Sequence, residues 1–201
     1  MQDAFIGGWA QGSHLSIGTL GSLRDLNHQF LDLTATRTEW LAGRLAPLSA
    51  AQRKAAAGCP YALFDLRFED DGHWRLRLQN SLSWQVADES AADDATVKFV
   101  RLALFYAWHV ASSAGFEAQL LLGMNGDTAA AFRRMSVNQL PALVMTEAVH
   151  LSARWSGCSA YWTALTAAAS AVDPEALRRV QLYGLQLAAA ARLPDLDRER
   201  R

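Results

Sequence analysis

Apolar residues recur at three- and four-residue steps between Ser22 and Leu33, at Leu23, Leu26, Phe30 and Leu33, which predicts a helix with one buried stripe. "TRTEWLAGRL" and "SAAQRKAAAG" continue the helical reading, with Pro47 between them, Ser49 placed to cap the second and Gly58 placed to end it. The period then changes. In "CPYALFDLRFEDDGHWRLRLQ", Leu66 and Phe68, then Trp74, Leu76 and Leu78, alternate with Arg67, Arg75 and Arg77 around "EDDG". That alternation predicts a β-hairpin over about 61–79, lying across the helical layer because two strands alone are marginal.

Beyond the polar linker "ADESAADDA", a helix from Thr96 to Ser113 carries Val97, Val100, Leu104, Ala107, Trp108 and Ala111 on one broad side. Helices are expected at about 116–123, 127–135, 138–152 and 159–171. A last one starts at Asp173, where the Asp cap, Pro174 and Glu175 form a strong start signal. The pattern implies a mainly α fold: a multi-helix bundle with a helix-turn-helix-like hairpin and one β-hairpin. It divides into an N-terminal helical layer plus hairpin (1–90), a helical region packed as one unit (91–193) and a flexible tail (194–201).

Composition narrows the classes. The chain has 201 residues, is 51% hydrophobic, and carries 19 basic against 20 acidic residues, so it is globular and has no overall pull toward phosphate or anionic lipid. The most apolar stretch, "FVRLALFYAWHVASSAGF", is too short and too polar to span a bilayer, and the N-terminus lacks the pattern of a signal peptide. Cys59 and Cys158 form no CxxC pair and no disulfide-dense pattern, which fits a reducing cytoplasm.

Candidate chemistry is sparse. The histidines at 14, 28, 73, 109 and 150 share no metal-ligand spacing with each other or with the cysteines, so neither a metal nor a cofactor is expected. His109 reads as a core or edge histidine, Cys59 as a buried structural thiol, and Glu69, Asp70 and Asp71 as solvated turn carboxylates. No catalytic constellation emerges, and the chain is read as a non-enzyme.

The segment "LLLGMNGDTAAAFRRMSVNQLPALVMT" has the rhythm of two helices hinged at "RMSVNQ", with Ser136 or Asn138 available as a cap and Pro141 in the first turn of the second. From about Leu102 to Trp155 the order "LLLGMN.D.A", then "MS.NQL..L", then "RW" resembles the helical core of FlhD, a subunit of the bacterial flagellar master transcriptional activator. The matching positions are Ala107, Ala118, Leu122, Gly123, Met124, Asn125, Ala129, Phe132, Met135, Ser136, Gln139, Leu140, Leu143, Thr146 and Arg154. The first 95 residues have no counterpart in that family.

The resemblance implies an all-helical, dimeric transcription regulator that works with a protein partner. It places a homodimer or partner interface on the helix over 96–113, at Val97, Val100, Leu104 and Trp108. Arg133 and Arg134 are candidates for phosphate contacts, and Asn138 and Gln139 for adenine edges. Against DNA stands the local charge: Glu117, Asp127 and Glu147 balance Arg133, Arg134 and Arg154 across residues 116–155. The two readings are therefore a regulatory protein that acts in a heteromeric complex, touching DNA weakly if at all, and a non-DNA adaptor or structural subunit.

Overall fold

The computed structural model describes residues 17–37, 40–79, 92–113 and 115–191. The tail at 194–201 and residues 80–91, where the acidic linker begins, lie outside the described residues. Within them the fold is mainly α, with ten α-helices and one two-stranded antiparallel sheet. In chain order these are α1 (Ile17–Ala35), α2 (Ala42–Leu45), α3 (Ala50–Ala56), β1 (Phe64–Asp65), α4 (Asp71–Gln79), α5 (Asp94–Ser113), α6 (Gly115–Leu122), α7 (Gly126–Arg134), α8 (Leu140–Glu147), β2 (Ser152–Ala153), α9 (Ser159–Ser170) and α10 (Pro174–Ala190).

Helix α5 is the axis. α1, α6, α7 and α8 pack around it, while α9 bridges α3 and α10. The α1 stripe behaves as its spacing requires: Leu23, Leu26 and Phe30 are buried. Helix starts are equally local. Ser49 and Gln52 form a reciprocal capping box on α3, and Asn125 accepts from Thr128 N at 2.7 Å on α7. Asp173 accepts from Glu175 N and Ala176 N on α10, with Pro174 in its first turn.

The strand expectation was half right and differently placed. The antiparallel pair joins Phe64 to Ala153 and Asp65 to Ser152, not two halves of a hairpin over 61–79. Residues 71–79 form α4. "EDDG" starts this helix and does not form a hairpin turn: Asp70 accepts from His73 N at 2.8 Å, and Asp71 lies in the first turn, where acids suit the positive helix end. The apparent alternation of Trp74, Leu76 and Leu78 is incidental, since Leu76 is 61% exposed while Trp74 is fully buried. Trp74 is held by an indole N–H to Arg67 O at 3.0 Å and by the rings of Phe68 and Phe132. The single helix expected over 138–152 is also divided, into 3-10 turns at Val137–Gln139 and Ala148–His150 flanking α8.

Between α3 and α4 an irregular segment runs through the core, with Cys59, Tyr61, Ala62, Leu63, Phe64 and Leu66 all fully buried. Tyr61 spans from this segment to α10, where Gly184 leaves it room. A Cβ at Gly184 would overlap the Tyr61 ring and hydroxyl. That hydroxyl is already committed to Val180 O at 3.4 Å and to Tyr161. Gly184→Ala is therefore expected to lose about 1–3 kcal/mol of stability by overpacking, measured by urea denaturation with an unchanged m-value.

Candidate functional site

The hinge expected to turn a corner does so. Ser136 and Gln139 form a capping box in the 3-10 turn, with the Gln139 carboxamide oxygen accepting from Ser136 N at 2.8 Å, and Pro141 lies in the first turn of α8. Trp108 on α5 pins the corner by donating to Met135 O at 2.8 Å. Arg133 and Arg134 are exposed at the end of α7, without an ion pair among the described residues, and Asn138 is exposed beside them. Gln139 is half-buried, with its carboxamide oxygen held in the cap. Outward from this corner stand Val137, Pro141, Met145 and Val149, each four residues from the last; Met145 is 42% and Val149 55% exposed.

The interface assigned to α5 needs correction. Val100 and Leu104 are fully buried by the chain's own helices, and Val97 and Trp108 pack against the same core. The widest apolar arc of a central helix goes to its own core first, so it is not free for a second copy. Leu102 and Phe105 are the large apolar residues that α5 leaves on its outer side, where His109 is also exposed.

The structure also assembles a cluster the sequence did not announce. Glu147, the last residue of α8, is completely buried at a helix end whose dipole disfavours a carboxylate. Two side chains one helical turn apart on α4 compensate it: His73 Nε2 lies 2.8 Å from Oε2 and Arg77 Nε lies 3.0 Å from Oε1. The Thr146 hydroxyl donates to Oε1 at 3.3 Å. His150, three residues after Glu147, sets its ring perpendicular to His73 at 5.1 Å between centroids. Burial holds His150 below the ordinary histidine range against the pull of Glu147, so it is neutral at neutral pH. One ligand atom from each of His73, Glu147 and His150 lies within 4.8 Å of the others. Histidine and cysteine spacing alone missed this group; the signal was the Glu-x-x-His of "EAVH", which puts both ligands on one side of a helical turn.

A groove of about 460 Å³ lies between α4 and α7, lined by Trp74, Arg75, Asp127, Ala131, Arg134 and Gln139 among others. No helix among the described residues is long and apolar enough to cross a membrane. Comparison of the chain with protein-family models, curated proteins and solved structures finds no match.

Both cysteines are free thiols. Burial pushes Cys59 up to about 11, whereas the Tyr183 hydroxyl, 3.6 Å from Cys158, holds that half-buried thiol below the ordinary range. Iodoacetamide at mildly alkaline pH should therefore modify Cys158 in the native protein and reach Cys59 only after denaturant is added, as read by peptide mass spectrometry. Native-state labelling of Cys59 would show that the segment around it opens.

Proposed function

We propose that the chain is a cytoplasmic regulatory subunit that works by docking a protein partner on the α7–α8 corner, as the interaction member of a heteromeric complex. The observation that carries this reading is the outward stripe of Val137, Pro141, Met145 and Val149. A helix that reads bases needs hydrogen-bonding side chains on its outer face. Here the exposed apolar residues run from one 3-10 turn across α8 to the next. Such a strip in water supports a protein contact. Its length fits an amphipathic helix of the partner. Arg133 and Arg134, exposed at one end with no ion pair among the described residues, call for acidic residues on that helix.

The FlhD resemblance supports the heteromeric setting. A second reading, contact with DNA inside such a complex, draws on the same two arginines. Two phosphate contacts give a salt slope of only about −2, at roughly −0.9 per phosphate.

The test is site-specific photocrosslinking in cells that express the chain, with the crosslinker at Met145 or at exposed Thr163 on α9 as the control. We expect one discrete protein adduct from 145, none from 163, and loss of that adduct in Arg133→Glu/Arg134→Glu. Mass spectrometry should map the contact to an acidic amphipathic helix, and the two purified proteins should rebind. Adducts to a second copy, to nucleic acid, or equally from both positions would overturn the reading.

A further inference from the structure

The cluster at the end of α8 carries an inference independent of the docking surface. We propose that His73, Glu147 and His150 form a binding site for a single transition-metal dication of the zinc class, with two imidazoles and one carboxylate as ligands. The three come from two elements that meet in the core, α4 and the α8 end with its 3-10 turn, so the site is assembled only by folding.

The two carboxylate oxygens have separate tasks. Oε1 accepts from Arg77 Nε and from the Thr146 hydroxyl, the outer contacts that orient a ligating carboxylate. Oε2 faces His73 Nε2 at 2.8 Å. In the ion-free chain that contact is a hydrogen bond. When an ion enters, the proton shared in that contact leaves Nε2, because only a nitrogen lone pair can ligate a metal. His150 supplies the third donor. Its ring has no hydrogen-bond partner among the described residues, so nothing has to be broken to recruit it.

Distances agree with a collapsed empty site. Zinc bonds of about 2.0–2.1 Å put tetrahedral donors roughly 3.3–3.5 Å apart. The present group spans from 2.8 Å to at most 4.8 Å, and side-chain rotations of about 1 Å bring it into that range. Two nitrogens and one oxygen favour zinc, iron(II) or cobalt(II) over calcium or magnesium, which take oxygen ligands. Three protein ligands leave at least one position for water, and half-buried His150 opens that side to solvent.

The rival account is a buried ion pair in which Glu147 is neutralised by His73 and Arg77 alone. His150 separates the two, because the ion pair does not need it. The experiment titrates tag-free protein with Co2+ alone, read by its visible ligand-field bands, and with Zn2+ alone, read by calorimetry and by thermal unfolding. We expect one equivalent of ion, a raised Tm, and competition of Zn2+ for the Co2+ signal. His150→Ala should weaken binding by at least about tenfold, since losing a ligand costs more than losing an outer contact, worth about 10–100-fold. Glu147→Gln should abolish the bands; if that variant does not fold, His150→Ala carries the test. His28→Ala and His109→Ala, on residues outside the cluster, should bind as the parent does. No stoichiometric binding by the parent, or binding unchanged in His150→Ala, would overturn the proposal and leave the ion pair as the cluster's role.

Discussion

A non-helical backbone buried among helices has to find partners for amides and carbonyls that no helix supplies, and the Cys59–Leu66 segment is where this chain meets that demand. Asn27, fully buried on α1, answers much of it: its carboxamide oxygen accepts from Leu63 N at 2.8 Å and its amide donates to Tyr61 O at 2.9 Å. Ala62 N reaches Leu121 O at 2.7 Å at the end of α6, and Arg154 N reaches Leu63 O at 2.9 Å beside the β1–β2 pair. A buried polar group left unpaired costs about 1–3 kcal/mol, so these contacts fix how α1, α6 and residues 152–154 sit around the segment.

That arrangement creates the titratable cluster. On one side of the segment the chain turns at Arg67, in the left-handed region, and starts α4, whose Trp74 locks onto Phe68 and Phe132. On the other side β2 ties down the stretch that follows His150. Residues 73 and 147, remote in sequence, are thereby brought into hydrogen-bond contact in a region where a charge has to be matched. A carboxylate at the C-terminal end of a helix is tolerated only because α4 arrives with a histidine and an arginine one turn apart.

The α7–α8 corner follows a different logic. Its inner residues, Phe132, Leu140, Leu143 and Val144, join the common core, while Trp108 holds the turn from α5. With the inside spent on packing and Gln139 on capping, the outside is left with exposed apolar residues and two exposed arginines. The backbone rhythm of the corner is set by its caps and core packing and its outer surface by what those leave over, so fold rhythm and function are separable.

What the sequence determined by itself is what short-range physics controls. The mainly α class, the α1 stripe, the Ser49 and Asp173 caps and the corner at 136–138 all follow from spacings within a few residues. Tertiary structure decided the rest. It made a helix of 71–79, which buries Trp74 against Phe132 of α7. It paired Phe64 with Ala153, and it turned the broad face of α5 inward, away from a second copy. It also brought His73 to Glu147 and His150. Those contacts join parts of the chain tens of residues apart, and no local period encodes them, because the energy that forms them comes from burying side chains and satisfying backbone groups across the whole core.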